Sequence, residues 1–165
     1  LNISAKLAIT TSIIITIGLL LNYQFKLLPI FENVERKSYG TVAYGISITL
    51  LLIIFWSSTP TAACVGILVM AFADGLAGLI GPIVKSPSWT ILNQRKSVAG
   101  TLTMAIAGSI VLFSIALSTG FPIYPLRIIA IALLAVALEQ ISLIGIDNLT
   151  VPLAVAFAWK FLIDI

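Results

Sequence analysis

Apolar residues in this chain fall into six long runs separated by short polar breaks: Leu7 to Leu21, Thr41 to Trp56, Thr61 to Ile80, Ser97 to Ser118, Leu126 to Ile146 and Leu149 to Leu162. About 20 apolar residues suffice for a helix to cross the hydrocarbon core of a bilayer. The pattern therefore predicts an all-α, polytopic membrane helix bundle of about six transmembrane helices. Its breaks are a loop from Asn22 to Gly40 with Pro29 as helix breaker, an uncharged turn from Ser57 to Pro60, and a polar loop from Gly81 to Lys96. The Gly120-Phe121-Pro122 breaker and the short Asp147-Asn148 turn complete them. Trp56 and Trp89 suit the headgroup level.

Composition agrees with that reading. The chain is 60% hydrophobic and 9% charged, with a mean hydropathy of +1.17, whereas soluble domains are about 25% charged. Residues 1–165 thus make a single integral-membrane domain with the lipid bilayer as its solvent, and nothing is left over for a soluble one. The net charge of +3 is small and its cations are spread through loops, so nucleic acid is not an expected partner. Cys64 is the only cysteine and lies in an apolar run; it allows no internal disulfide and is expected to pack in the core. The absence of histidine removes His-based acid/base catalysis and the usual His-containing zinc and haem sites. Leu1 stands where an initiator methionine would, so upstream residues are expected. No signal-peptide pattern is visible.

Charge distribution sets the expected orientation. Lys26, Arg36, Lys37, Lys85, Arg95 and Lys96 fall in the two loops that this topology places on one face, against Arg127 at a helix end on the other. The positive-inside rule makes the basic face cytoplasmic, or stromal in a plastid. Asp147 and Asn148 share it. At 1.5 Å per helical residue, Asp74 lies roughly 10 Å below the Gly81 end of its helix and Glu139 roughly 12 Å below Asp147.

Those acids are the candidate chemistry. Asp74 lies inside an apolar run, where an unpaired charge costs on the order of 2.5–3.5 kcal/mol, so a functional role is the default. Gly75, Gly78 and Gly81 follow it at spacing three and leave the backbone bare, either for close helix packing or for a ligand. A carboxylate among bare backbone and cations is what a divalent metal with phosphate requires, since Mg²⁺ takes one or two carboxylates plus phosphate oxygens. Glu139 and Asp147 are the companion acids, although Asp147 alone also fits a plain N-cap of the sixth span. Ser97 opens a helix toward the basic face, where free N–H groups favour an anion. Three helix starts, near Ser38, Ser97 and Asn148, converge there. No P-loop and no protein-kinase catalytic loop is present.

One segment echoes another: Arg36-Lys37-Ser38-Tyr39-Gly40-Thr41 and Arg95-Lys96-Ser97-Val98-Ala99-Gly100-Thr101 each open a span followed by a helix with a buried acid. This suggests a weak parallel duplication of a two-helix unit, against which stands chance similarity in low-complexity sequence.

The stretches Ala73-Asp74-Gly75-Leu76-Ala77-Gly78-Leu79-Ile80-Gly81, Lys96-Ser97-Val98-Ala99-Gly100-Thr101 and Glu139 with Asp147-Asn148-Leu149-Thr150-Val151-Pro152, preceded by the Arg36 to Thr41 segment, resemble the phytol kinase and dolichol (polyprenol) kinase family in order and content. Members usually carry additional N-terminal helices, of which this chain is expected to lack one or two. The resemblance implies transfer of the terminal phosphate of CTP, with ATP left open as donor, to the hydroxyl of a long isoprenoid alcohol with Mg²⁺. It implies a bacterial inner, thylakoid or plastid membrane as location. Asp74, Glu139 and Asp147 are then the metal-side acids, with Glu139 a third ligand or the acceptor of the alcohol proton. Arg95, Lys96 and Ser97, with Arg36 and Lys37, lie on the phosphates, and Gly75 and Gly78 let the backbone approach the nucleotide. The rivals are a CTP:phosphatidate cytidylyltransferase relative, whose His-Gly-Gly and Asp-Arg-x-Asp signature is absent, and a small ion-coupled transporter using Asp74 and Glu139 as relay acids.

Overall fold

A computed structural model describes residues 4–26, 39–142 and 145–164. They form six helices and one β-hairpin. The helices are α1 (Ala5–Phe25), α2 (Gly40–Phe55), α3 (Pro60–Ile83), α4 (Val98–Thr119), α5 (Pro125–Gln140) and α6 (Asp147–Leu162). Strands β1 (Ser88–Ile91) and β2 (Gln94–Ser97) lie between α3 and α4. Three helices, α1, α3 and α4, are long and apolar enough to cross a membrane. Helix ends follow local chemistry: Ser4 and Ser97 accept from the N–H groups of Leu7 and Gly100, Pro60 and Pro125 occupy first turns, and Gly120 closes α4 at φ 73°.

Close backbone approach sets the packing. A Cβ built on Gly66 would stand 2.4 Å from the Pro152 carbonyl oxygen, so α3 and α6 cross with nothing between their backbones. Gly81 and Gly100 make a second crossing between α3 and α4: a Cβ on Gly81 would meet the Gly100 Cα at 3.3 Å. Around these contacts, Ala62, Ala63, Val65 and Val69 of α3, Ile131 and Ala135 of α5, and Val151, Val155 and Trp159 of α6 are buried. α1 is peripheral. Only 6% of its apolar window is buried, and it meets α2 through Ser12, Thr16 and Thr49, with Ser12 Oγ 2.7 Å from Thr49 Oγ1.

Helix α3 changes pitch on the way to the acid. It is α-helical over Pro60–Leu68, π-helical over Val69–Asp74 and α-helical again over Gly75–Ile83. A π turn takes up extra residues and re-aims the helical segment beyond it. Val69, Met70 and Ala73 stay in the core while Asp74, the last π residue, is half-buried. The Tyr44 hydroxyl donates to the Ile67 carbonyl at 2.9 Å, just before the change.

Three expectations are corrected. The fifth span does not reach Ile146: its helix ends at Gln140, and Gly145 follows at φ 86°. Apolar residues after Gln140 imitate a helix in hydropathy, yet the chain must leave the helix for Asp147 to begin the next. Cys64 is exposed on α3, because a membrane helix is apolar on its outer face as well as its inner one. Finally, the loop from Gly81 to Lys96 contains a hairpin, with Ser88, Trp89, Thr90 and Ile91 paired to Ser97, Lys96, Arg95 and Gln94. Its two-residue turn has Leu92 and Asn93 at φ 51° and 62°, a type I′ geometry without the Asn-Gly signal that usually marks it.

Candidate active site

Three helices deliver one acid each to a single point. Asp74 ends the π segment of α3, Glu139 stands in the last turn of α5, and Asp147 is the first residue of α6. One carboxylate oxygen from each lies within 4.8 Å of the others. The short break after Gln140 makes this possible, because it brings the end of α5 and the start of α6 side by side. Glu139 is therefore level with Asp147 and not two turns below it.

Asp147 is no helix cap. The N-cap is Ile146, which has no side-chain hydrogen bond, and the Asp147 backbone N–H is taken by Ser142 Oγ at 3.3 Å. Its own Oδ1 is buried without a hydrogen-bond partner, as is Glu139 Oε2. Buried carboxylate oxygens without partners are costly. Carboxylate oxygens gathered about one point are hard donors of the kind a divalent cation takes, and two oxygens of the cluster lack a hydrogen-bond partner.

The hairpin brings the cation. Lys96 forms an ion pair with Glu139 through Oε1, both side chains being largely shielded. Trp89 is its cross-strand partner, so the two point to the same face of the ribbon. There the Trp89 indole N–H donates to Gln140 Oε1 at 3.2 Å, and Gln140 Nε2 donates to Thr101 Oγ1 at 3.0 Å. Arg95, one residue from Lys96, points to the opposite face and is exposed, with Nε and Nη2 on Ser88 Oγ at 3.3 and 3.2 Å.

A curated protein named phytol kinase, from Synechocystis sp., is 43% identical over 143 residues. This chain is its homologue. The match covers 84% of the chain and 61% of the relative, so the chain spans about three-fifths of that protein's length. It supports the resemblance to the phytol kinase family seen in the motifs. No family model and no solved structure matches the chain.

The structure separates the remaining predicted residues. Gly75 and Gly78 are exposed, and a Cβ on either would meet nothing within 4 Å, so their bare backbone faces open space. Gly81 instead packs on Gly100. Ser97 is committed on both sides, donating to the Gly81 carbonyl and accepting from the Gly100 N–H, each at 3.2 Å. The first N–H groups of α4 are also occupied, Val98 by the Pro87 carbonyl at 3.0 Å and Ala99 by Ser86 Oγ at 3.1 Å. The expectation of a free, anion-binding N-terminus at Ser97 is thereby corrected: the hairpin folds back and satisfies it. Arg36, Lys37 and Ser38 lie outside the described residues. Gln140, Ser142 and Tyr44 were not legible as site neighbours. The polar pair Glu139-Gln140 inside an apolar run was the available signal for the first.

Proposed function

We propose that this chain transfers the terminal phosphoryl group of CTP to the hydroxyl of a membrane-dissolved isoprenoid alcohol, phytol being the first candidate. The observation that carries the reading is the meeting of Asp74, Glu139 and Asp147, from three helices distant in sequence, beside the Lys96 ammonium. The 43% identity to a protein named phytol kinase supports it independently.

In this reading Asp74 and Asp147 hold Mg²⁺, with Glu139 as a third ligand or as the group that takes the alcohol proton. Bound there, Mg²⁺ would neutralise the phosphates and their developing charge. The alcohol oxygen forms a bond to the terminal phosphorus as the bond to the bridging oxygen breaks, CDP leaves, and the proton passes to a carboxylate, for which Glu139 Oε2 is unengaged. Lys96 contacts the phosphates, and the open backbone at Gly75 and Gly78 lies against the nucleotide. Arg95, on the outer face of the hairpin, serves the approach of the nucleotide and not the acid cluster.

The remaining helices complete a six-span bundle whose basic loops and site face the cytoplasm or stroma. Helices α2, α5 and α6 have 16 residues each, about 24 Å of rise against a core of about 30 Å. Their site-side ends therefore sit below the surrounding headgroups. A hydroxyl on a lipid-soluble tail and a water-soluble nucleotide meet at that depth.

The test is an assay of the protein in detergent or nanodiscs with labelled CTP or ATP and a panel of prenols, beside Asp74→Asn. The expected result is a prenyl phosphate plus CDP, and loss of product in the variant. Failure to phosphorylate any prenol with either nucleotide refutes the reading, and release of pyrophosphate would indicate nucleotidyl transfer instead.

A further inference from the structure

We infer that Gln140 is a positioning residue: its carboxamide locks the β-hairpin onto the end of α5 so that Lys96 is held at the acid cluster and stays there when it exchanges Glu139 for a phosphate oxygen. The inference rests on the kinase reading for the role of Lys96. The lock itself rests on geometry alone.

Its polarity admits one arrangement. The Trp89 indole can only donate, so Gln140 Oε1 faces it. Thr101 already uses its hydroxyl hydrogen on the Ser97 carbonyl at 2.9 Å, so it accepts from Gln140 Nε2. One carboxamide thus joins the hairpin, the start of α4 and the end of α5, with no donor or acceptor mismatched. Among the described residues, two polar contacts tie the hairpin's inner face to α5, and they fall on consecutive residues: Lys96 on Glu139 and Trp89 on Gln140. If the ion pair were the sole attachment, moving Lys96 to a phosphate would free the ribbon. With Gln140 in place, the ammonium can change partners over a fixed pivot. The chain elsewhere invests in the same ribbon, since Ser86 and Pro87 tie its base to the first turn of α4.

The experiment compares wild type, Gln140→Leu, Lys96→Ala and the double variant, with Thr101→Ser as the conservative control that keeps the acceptor. Hydrogen exchange over residues 88–97 reads the lock directly, whether or not the protein phosphorylates a prenol. Gln140→Leu is expected to raise hairpin exchange at least about tenfold, the equivalent of about one lost hydrogen bond, and Thr101→Ser to leave it near wild type. Unchanged exchange in Gln140→Leu overturns the proposal. In the active protein, Gln140→Leu raises the KM for nucleotide about tenfold with kcat within about threefold, and adds nothing further in the Lys96→Ala background. Additive effects of the two substitutions would show that Gln140 does not act through Lys96. Wild type inactive on every prenol would instead refute the kinase reading, while the exchange result would still decide the lock.

Discussion

Asp147→Asn should make the metal-free protein more stable and deaf to magnesium. The three acids lie within 4.8 Å of one another with one ammonium beside Glu139. Each like-charge contact at that separation costs about 3 kcal/mol at an effective dielectric of ~20, and the substitution removes those that Asp147 makes with Asp74 and Glu139. After relaxation and solvent screening we expect a net gain of about 1–2 kcal/mol. Under the proposed metal site, wild type is expected to respond to the ion differently. At free Mg²⁺ about 100-fold above its Kd, linkage adds about 2.7 kcal/mol, or about 5–10 °C in Tm for a chain of this size. The assay is thermal unfolding in detergent followed by tryptophan emission, with fully buried Trp159 as reporter and a monovalent salt at matched ionic strength as control. Asp147→Asn is expected to start a few degrees higher and not to move with Mg²⁺. A variant that still rises as much as wild type, or a metal-free variant that melts well below it, would refute a shared ion site.

Four further substitutions have expected outcomes. Gly66→Ala forces a methyl against the Pro152 carbonyl oxygen, 2.4 Å from where it would stand, and should cost at least about 1–3 kcal/mol, measured as a lower Tm with the acid cluster untouched. Gly78→Ala enters open space and should leave Tm unchanged while raising the nucleotide KM, whereas Gly81→Ala, packed on Gly100, should lower Tm by the equivalent of about 1–2 kcal/mol. Leu92→Asn relieves a left-handed backbone at φ 51° and should slow hairpin exchange by the equivalent of up to about 1 kcal/mol.

Much of this protein is legible without coordinates. Long apolar runs cannot be dissolved in water and must satisfy their backbone internally, so helices and approximate boundaries follow from hydropathy alone, as at α3 and α4. Asp74, Glu139 and Asp147 announce themselves because a carboxylate in apolar surroundings is expensive and therefore retained for a reason. Hydropathy cannot see, however, where an apolar helix stops, so it carries α5 on to Ile146, nor which face meets lipid, so it places Cys64 inside. The hairpin escapes it because Leu92-Asn93 lacks the usual turn signal. The consequences of the hairpin escape with it: the occupied N–H groups of α4, the opposite faces of Arg95 and Lys96, and the Gln140 bridge. Side chains adjacent in sequence part company on a strand, and acids far apart in sequence meet only when helices end at the same level. Residue order alone dictates a membrane-type helical chain carrying acids that demand compensation. That the three acids share one point is a property of the packing, because it depends on where helices end and on a pitch change in α3, neither of which hydropathy encodes.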